Sequence, residues 1–306
     1  QPRGLRLYVE AAGHDRVGIG PATSSPSPST PEAAPRFGAG QVALLAALAI
    51  LAFAGNSIIA RAALVDGAID AASFSLVRLA AGALVLVPLL VRSEGRWSLS
   101  GGASLFVYVA MFSWAYVELP TATGALILFA VVQATILLTG IARGERVRLL
   151  GWIGLVVSLT GLAVLLVPQV ESGRLVPALF MAASGIAWGA YTMIGRSAAA
   201  PGAHTARSFA IGALLALPLL ALSDGMPGAH GLMLAGLSGA VTSGLGYVVW
   251  NRVSPALGLA TLATVQLATP LVAALGGVAL LDEAVTRELV VSGALIVAGI
   301  AMTLRR

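Results

Sequence analysis

The residues most able to do chemistry are a few polar and aromatic side chains set inside long apolar runs. Gln133 and Gln266 each follow a valine near the middle of such a run, and an amide offers both donors and an acceptor. Asn56 is a third uncharged polar group of the same kind. Two readings stay open for these amides. They contact a bound small molecule, or they make interhelical hydrogen bonds worth about 0.6–2 kcal/mol each. Arg78 is a basic residue well inside an apolar run, roughly 10 Å from the helix start at about 1.5 Å per residue. A guanidinium can grip a carboxylate bidentately. It can equally snorkel to the surface or tie to Asp70, Asp66 or loop carbonyls, and a gate or structural role is the favoured reading. Among the aromatics, Trp114, Trp188, Tyr191 and Tyr247 are pocket candidates. Trp188 and Tyr191, three apart, share one helical face. Tyr116 and Trp250, at segment ends, read as an interfacial belt.

Composition says what must hold these groups. The chain has 306 residues, 58% hydrophobic and 10% charged, with a mean hydropathy of +0.93. A soluble domain is about 45–50% apolar and about 25% charged, so the solvent is lipid. Thirty-six glycines fit helices that approach closely in a bilayer. A polar group at that depth is costly unless paired, which is why each one above needs a reason. The net charge of +5 is carried by arginine and reads as topology rather than nucleic-acid binding. With no cysteine, disulfides and thiolate metal sites are excluded. His14, His204 and His230 fall in the tail or near predicted loops, and no cofactor is expected.

Residues 1–38 are a Pro/Ser-rich tail, holding PATSSPSPSTPEAAP, with too little apolar surface to order itself. The remainder divides into apolar segments near 40–62, 71–91, 102–117, 121–142, 149–167, 176–196, 205–222, 230–250, 256–281 and 286–304. A span takes roughly 20 apolar residues, so ten transmembrane helices are expected, the third short.

The segments repeat. Gly124–Glu145 and Gly258–Glu283 both open on Gly, carry Val-Gln, and close on Gly144-Glu145-Arg146-Val147 and Asp282-Glu283-Ala284-Val285. Gly82-Ala83-Leu84 with Pro88-Leu89-Leu90 reappears as Gly212-Ala213-Leu214 with Pro218-Leu219-Leu220, and Phe53, Gly55 and Arg61 match Trp188, Gly189 and Arg196. Long-range self-similarity is read before single motifs. Five spans per half invert the second half. Inverted repeats typify secondary transporters, with the substrate site near the midplane. The halves are 39–169 (helices 1–5) and 170–306 (helices 6–10). With both termini in the cytoplasm, inner joints receive Arg92, Arg96, Arg143, Arg146, Arg148, Arg196, Arg207, Arg252, Arg305 and Arg306. Outer ones receive Arg61, Arg174 and Arg287.

Three stretches then resemble the EamA repeat of the drug/metabolite transporter superfamily: Phe74–Leu79, Gly144–Val147 leading to Gly154 and Gly161, and Thr242–Tyr247 through Trp250. The resemblance covers roughly residues 40–304. It implies ten helices in a basket, a central cavity lined by helices one to four and six to nine, and alternating access. Many relatives carry Pro in the fourth helix; here Gln133-Ala134-Thr135 stands there, and Pro270 is kept in the ninth.

Absent groups narrow the cargo. No expected span has a central acid, and Glu118, Glu145 and Glu283 lie near joints, where they read as solvated or capping carboxylates. A single deep cation argues against phosphate-bearing substrates, which several cations would grip. A membrane enzyme would need a nucleophile with a base, or a metal site, and the expected spans offer neither. The reading is an all-α membrane protein moving a small neutral, zwitterionic or amphipathic metabolite, in export, across a bacterial inner membrane. The alternative is a scaffold of the same fold without transport. Expected partners are a small-molecule substrate and membrane lipid, with no nucleic acid, the chain acting as monomer or homodimer.

Overall fold

The computed structural model describes residues 38–93, 96–142, 149–257, 265–266 and 268–304. The tail, Gly144–Val147, Gly258–Thr264 and the terminal Arg305 and Arg306 lie outside the described residues. The described chain is helical: α1 (Ala39–Leu64), α2 (Ala71–Val85), α3 (Val87–Arg92), α4 (Leu99–Glu118), α5 (Thr121–Ala142), α6 (Leu149–Glu171), α7 (Leu175–Arg196), α8 (Pro201–Ala216), α9 (Ala229–Leu237), α10 (Gly246–Val253), α11 (Ala268–Leu281) and α12 (Arg287–Leu304). Among the described residues, seven spans are long and apolar enough to cross a bilayer by length and composition; α2 and α11 are shorter apolar helices.

Local chemistry explains the boundaries and corrects several expectations. Asp70 starts α2 by accepting the Ser73 amide at 2.8 Å, and Ser98 starts α4 by accepting the Gly101 amide at 3.0 Å. That cap lengthens the third segment, expected to be short, to 20 residues. The second segment is broken at Leu86 ahead of Pro88, which has no amide hydrogen to continue the helix but is tolerated in the first turn of α3. Its counterpart Pro218 turns the end of α8 into the 3-10 helix Leu217–Leu222.

The eighth segment differs most. Between α9 and α10 the chain runs through a π-helix, Ser238–Leu245, where a regular α-helix was expected. A π-turn brings residues five apart onto one face and is frequent at functional sites. Here it aligns Ser238 with Ser243.

Packing relies on small residues. A methyl on Gly185 would lie 2.8 Å from the Leu128 carbonyl oxygen, and one on Gly189 would lie 2.9 Å from Thr135 Cβ, so α7 presses on α5. Gly161 and Gly299 do the same for α6 against α12. The sequence-matched pair Leu84 and Leu214 both point outward, 72% and 66% exposed, while Gly82 and Gly212 are buried. An exterior of exposed Leu and Val with a polar and aromatic interior suits lipid rather than water.

Candidate functional site

One buried cluster draws on six elements. Asn56 on α1 is the acceptor at its base: its Oδ1 receives hydrogen bonds from Ser238 Oγ (2.9 Å), Thr242 Oγ1 (2.6 Å) and Ser243 Oγ (3.0 Å), all on the π-helix. Asn56 Nδ2 donates to Tyr247 OH and to the Thr242 carbonyl, each at 3.3 Å. Arg78 on α2 is fully buried. Its Nε donates to Ser243 Oγ at 2.9 Å, and its Nη2 donates to Tyr247 OH (2.9 Å) and Tyr108 OH (3.2 Å). Tyr247 OH donates in turn to Tyr108 OH at 3.1 Å.

Aromatic faces wall this network. The Arg78 guanidinium carbon lies 4.8 Å from the Phe112 ring centroid and 5.4 Å from that of Tyr108, in range for cation–π attraction. Trp188 packs 4.7 Å from Tyr247, 4.9 Å from Tyr108 and 5.4 Å from Phe53. Close backbone approach sets the geometry. Gly239 rests against the Arg78 backbone, and a methyl on Gly82 would stand 3.0 Å from the Gly239 carbonyl oxygen.

The structure therefore gathers Asn56, Arg78, Trp188, Tyr191 and Tyr247 into one cluster. Gln133 and Trp114 line other sites. Gln133 lines a crevice with Ser158 of α6 and Ile300 of α12. Gln266 is fully buried just before α11. Trp114 lines a separate pocket with Ile69, Asp70 and the 222–228 loop.

Arg78 neither snorkels nor meets Asp66 or Asp70; its partners are hydroxyls, and Asp70 is spent on capping α2. Tyr116 and Trp250 are fully buried rather than interfacial. Tyr116 bonds the Thr121 carbonyl, and Trp250 packs on Phe53. Glu283 takes the capping role, one of the two expected for it: it accepts from Thr121 at the start of α5 and pairs with Arg61. Arg207, expected at an inner joint, is buried on α8 and donates to the Ser93 carbonyl. His204, expected near a loop, is also buried on α8, stacked 5.8 Å from Tyr191. Sequence reasoning missed Tyr108, Phe112, Ser238 and the π-helix. The signal available for the first two was their four-residue spacing on one helical face inside the third apolar segment.

The EamA-like transporter family matches residues 175–305. The uncharacterized protein PA1977 of Pseudomonas aeruginosa is 46% identical over 271 residues, covering 85% of this chain and 93% of that protein. The chain belongs to the EamA-like transporter family. A solved crystal structure superposes on this EamA protein with a TM-score of 0.65, at 21% identity over 87% of this chain and 98% of that one, a likeness of fold alone. The protein is thus a multi-pass integral membrane protein of a family of transporters rather than enzymes, within the drug/metabolite transporter superfamily.

Proposed function

We propose that this protein is a secondary transporter moving a small neutral, zwitterionic or amphipathic metabolite by alternating access, outward across a bacterial inner membrane. In this reading both termini are cytoplasmic, and two inverted five-helix halves, 39–169 and 170–306, close around the Arg78–Tyr247 cluster. The observation that carries it is the cluster's dual origin. Asn56, Arg78 and Tyr108 come from the first half and Trp188, Ser243 and Tyr247 from the second, so relative motion of the halves opens it.

Paired contacts at matching positions support the inversion. Arg61, ending α1, donates to the Tyr116 and Val117 carbonyls at the end of α4. Arg196, ending α7, donates to the Ser254 and Leu257 carbonyls just beyond α10. Gly82 faces the Gly239 carbonyl; its repeat partner Gly212 faces the Gly102 carbonyl.

Counterflow in proteoliposomes tests the reading, with labelled neutral amino acids, their amides and small amines as probes. At least one probe should accumulate, and Tyr247→Phe should slow it. If folded protein moves none of them, the scaffold alternative takes its place.

A further inference from the structure

Arg78 is a fully buried guanidinium whose hydrogen-bond partners among the described residues are all neutral, the hydroxyls of Ser243, Tyr108 and Tyr247. The ion pair among the described residues joins Arg61 to Glu283 instead. A buried cation without an acid is expensive, and hydroxyls and ring faces compensate it only in part.

The hydrogen-bond directions sharpen this. Asn56 Oδ1, the one amide acceptor of the network, is taken by three hydroxyls. Protons pass from Arg78 and Asn56 to Tyr247 and from Tyr247 to Tyr108. There the chain ends, since Tyr108 OH donates to no group among the described residues. Arg78 Nη1, also buried, has no hydrogen-bond partner either. Among the described residues the cluster has one positive charge, no carboxylate, and two donor groups with nothing to donate to, Arg78 Nη1 and the Tyr108 hydroxyl. Around it stand the apolar faces of Phe53, Phe112 and Trp188.

We infer that the transported molecule carries a carboxylate, which binds Arg78 bidentately, with an apolar body against these rings. The inference rests on the transport reading above. In this structure the hydroxyl oxygens of Tyr108 and Tyr247 both lie on Nη2, beside the unpartnered Nη1. A carboxylate displaces them, and both hydroxyls turn to donate to it. Carboxylate and guanidinium match in shape and charge, so a simple acid leaves no net charge in the interior of the membrane and an amino acid leaves that of its own ammonium group.

The test compares matched probes by calorimetry on detergent-purified protein and by proteoliposome counterflow. The probes are 3-phenylpropanoate against 3-phenylpropanamide, and L-phenylalanine against L-phenylalaninamide. Each carboxylate should bind about tenfold or more tighter than its amide, the worth of a hydrogen bond to a charged group. Tyr108→Phe should weaken the carboxylates about threefold or more and leave the amides unchanged. Arg78→Lys should keep a reduced preference and Arg78→Gln should abolish it; the wild-type comparison stands even if the glutamine variant does not fold. Binding by 3-phenylpropanoate with none by L-phenylalanine names a simple acid, and the reverse names an amino acid; either supports the inference. Amides moved as well as carboxylates overturn it and leave transport standing. Carboxylates bound but never moved support the anion site and overturn transport. If nothing is bound or moved, both are overturned.

Discussion

Glu283, in the turn after α11, places both carboxylate oxygens 2.9 Å from the Thr121 amide nitrogen at the start of α5. The Thr121 hydroxyl donates to Oε1 at 3.0 Å, and Arg61 Nε stands 3.6 Å from the same oxygen. One acid thus caps α5 and ties it to the ends of α1 and α11. An anion is favoured at a helix N-terminus by the unpaired amides and the helix dipole.

Removing this acid should show in stability. Glu283→Ala loses the cap and the ion pair together and should cost about 1.5–3 kcal/mol, as expected for hydrogen bonds to a charged group. Glu283→Gln keeps an acceptor for the amide and should cost less. Melting in detergent checks the order. If the alanine variant melts like the wild type, the contact contributes nothing to the folded state.

Gly239 should be intolerant of any side chain. A methyl there falls on the Arg78 backbone carbonyl, between α2 and the π-helix. Overpacking of this kind costs about 1–3 kcal/mol, and it also pushes Arg78 away from Ser243. Gly236, three residues earlier, has open space where a methyl would go. Gly239→Ala should therefore lower Tm while Gly236→Ala does not; equal Tm values would mean the helices have room to part.

Much of the helix pattern was legible because lipid imposes it: long apolar runs punctuated by Arg, Pro and Gly have few other readings. Asn56, Trp188 and Tyr247, which share one buried cluster, were legible as candidates because polar or aromatic groups stand out in an apolar span. The partners of Arg78 were not, since Tyr108 and Ser243 lie 30 and 165 positions from it in sequence. The π-helix was hidden too: Ser238-Gly239-Ala240-Val241-Thr242 carries no local signal against an α-helix, and tertiary bonds to Asn56 decide its winding. Tyr116 and Trp250 misled because position near a segment end reads as interface, whereas here interhelical contacts bury both rings.

Asp70 makes the start of α2 sensitive to acid. Burial raises its pKa, but the Ser73 amide, the Ser73 and Ser223 hydroxyls and the Ala72 amide outweigh this and hold it below the usual carboxylate value. A carboxyl lowered in the folded state contributes stability that is present at neutral pH and lost as pH falls through its folded value. Asp70→Ala should cost about 0.5–2 kcal/mol, the usual worth of an N-cap. The gap from wild type should narrow in acid. A gap that stays constant down to the lowest pH at which the protein folds would assign the cost to packing instead.

Asn56 separates the need for an acceptor from the need for a neutral one. Asn56→Leu leaves the Ser238 and Ser243 hydroxyls without their acceptor, while Thr242 retains its bond to the Ser238 carbonyl. Unsatisfied buried groups cost about 1–3 kcal/mol, so Tm should fall. Asn56→Asp keeps the acceptor for all three hydroxyls and gives up the two bonds made by Nδ2. It also places a negative charge one hydroxyl away from the Arg78 guanidinium, through Ser243. Attraction between those charges should keep Tm at or above that of the leucine variant. The same charge supplies from within the protein the anion that Arg78 lacks, so carboxylate binding should weaken by about tenfold or more while amide binding changes little. An aspartate variant that binds carboxylates as tightly as the wild type would show that the Arg78 charge takes no part in recognition.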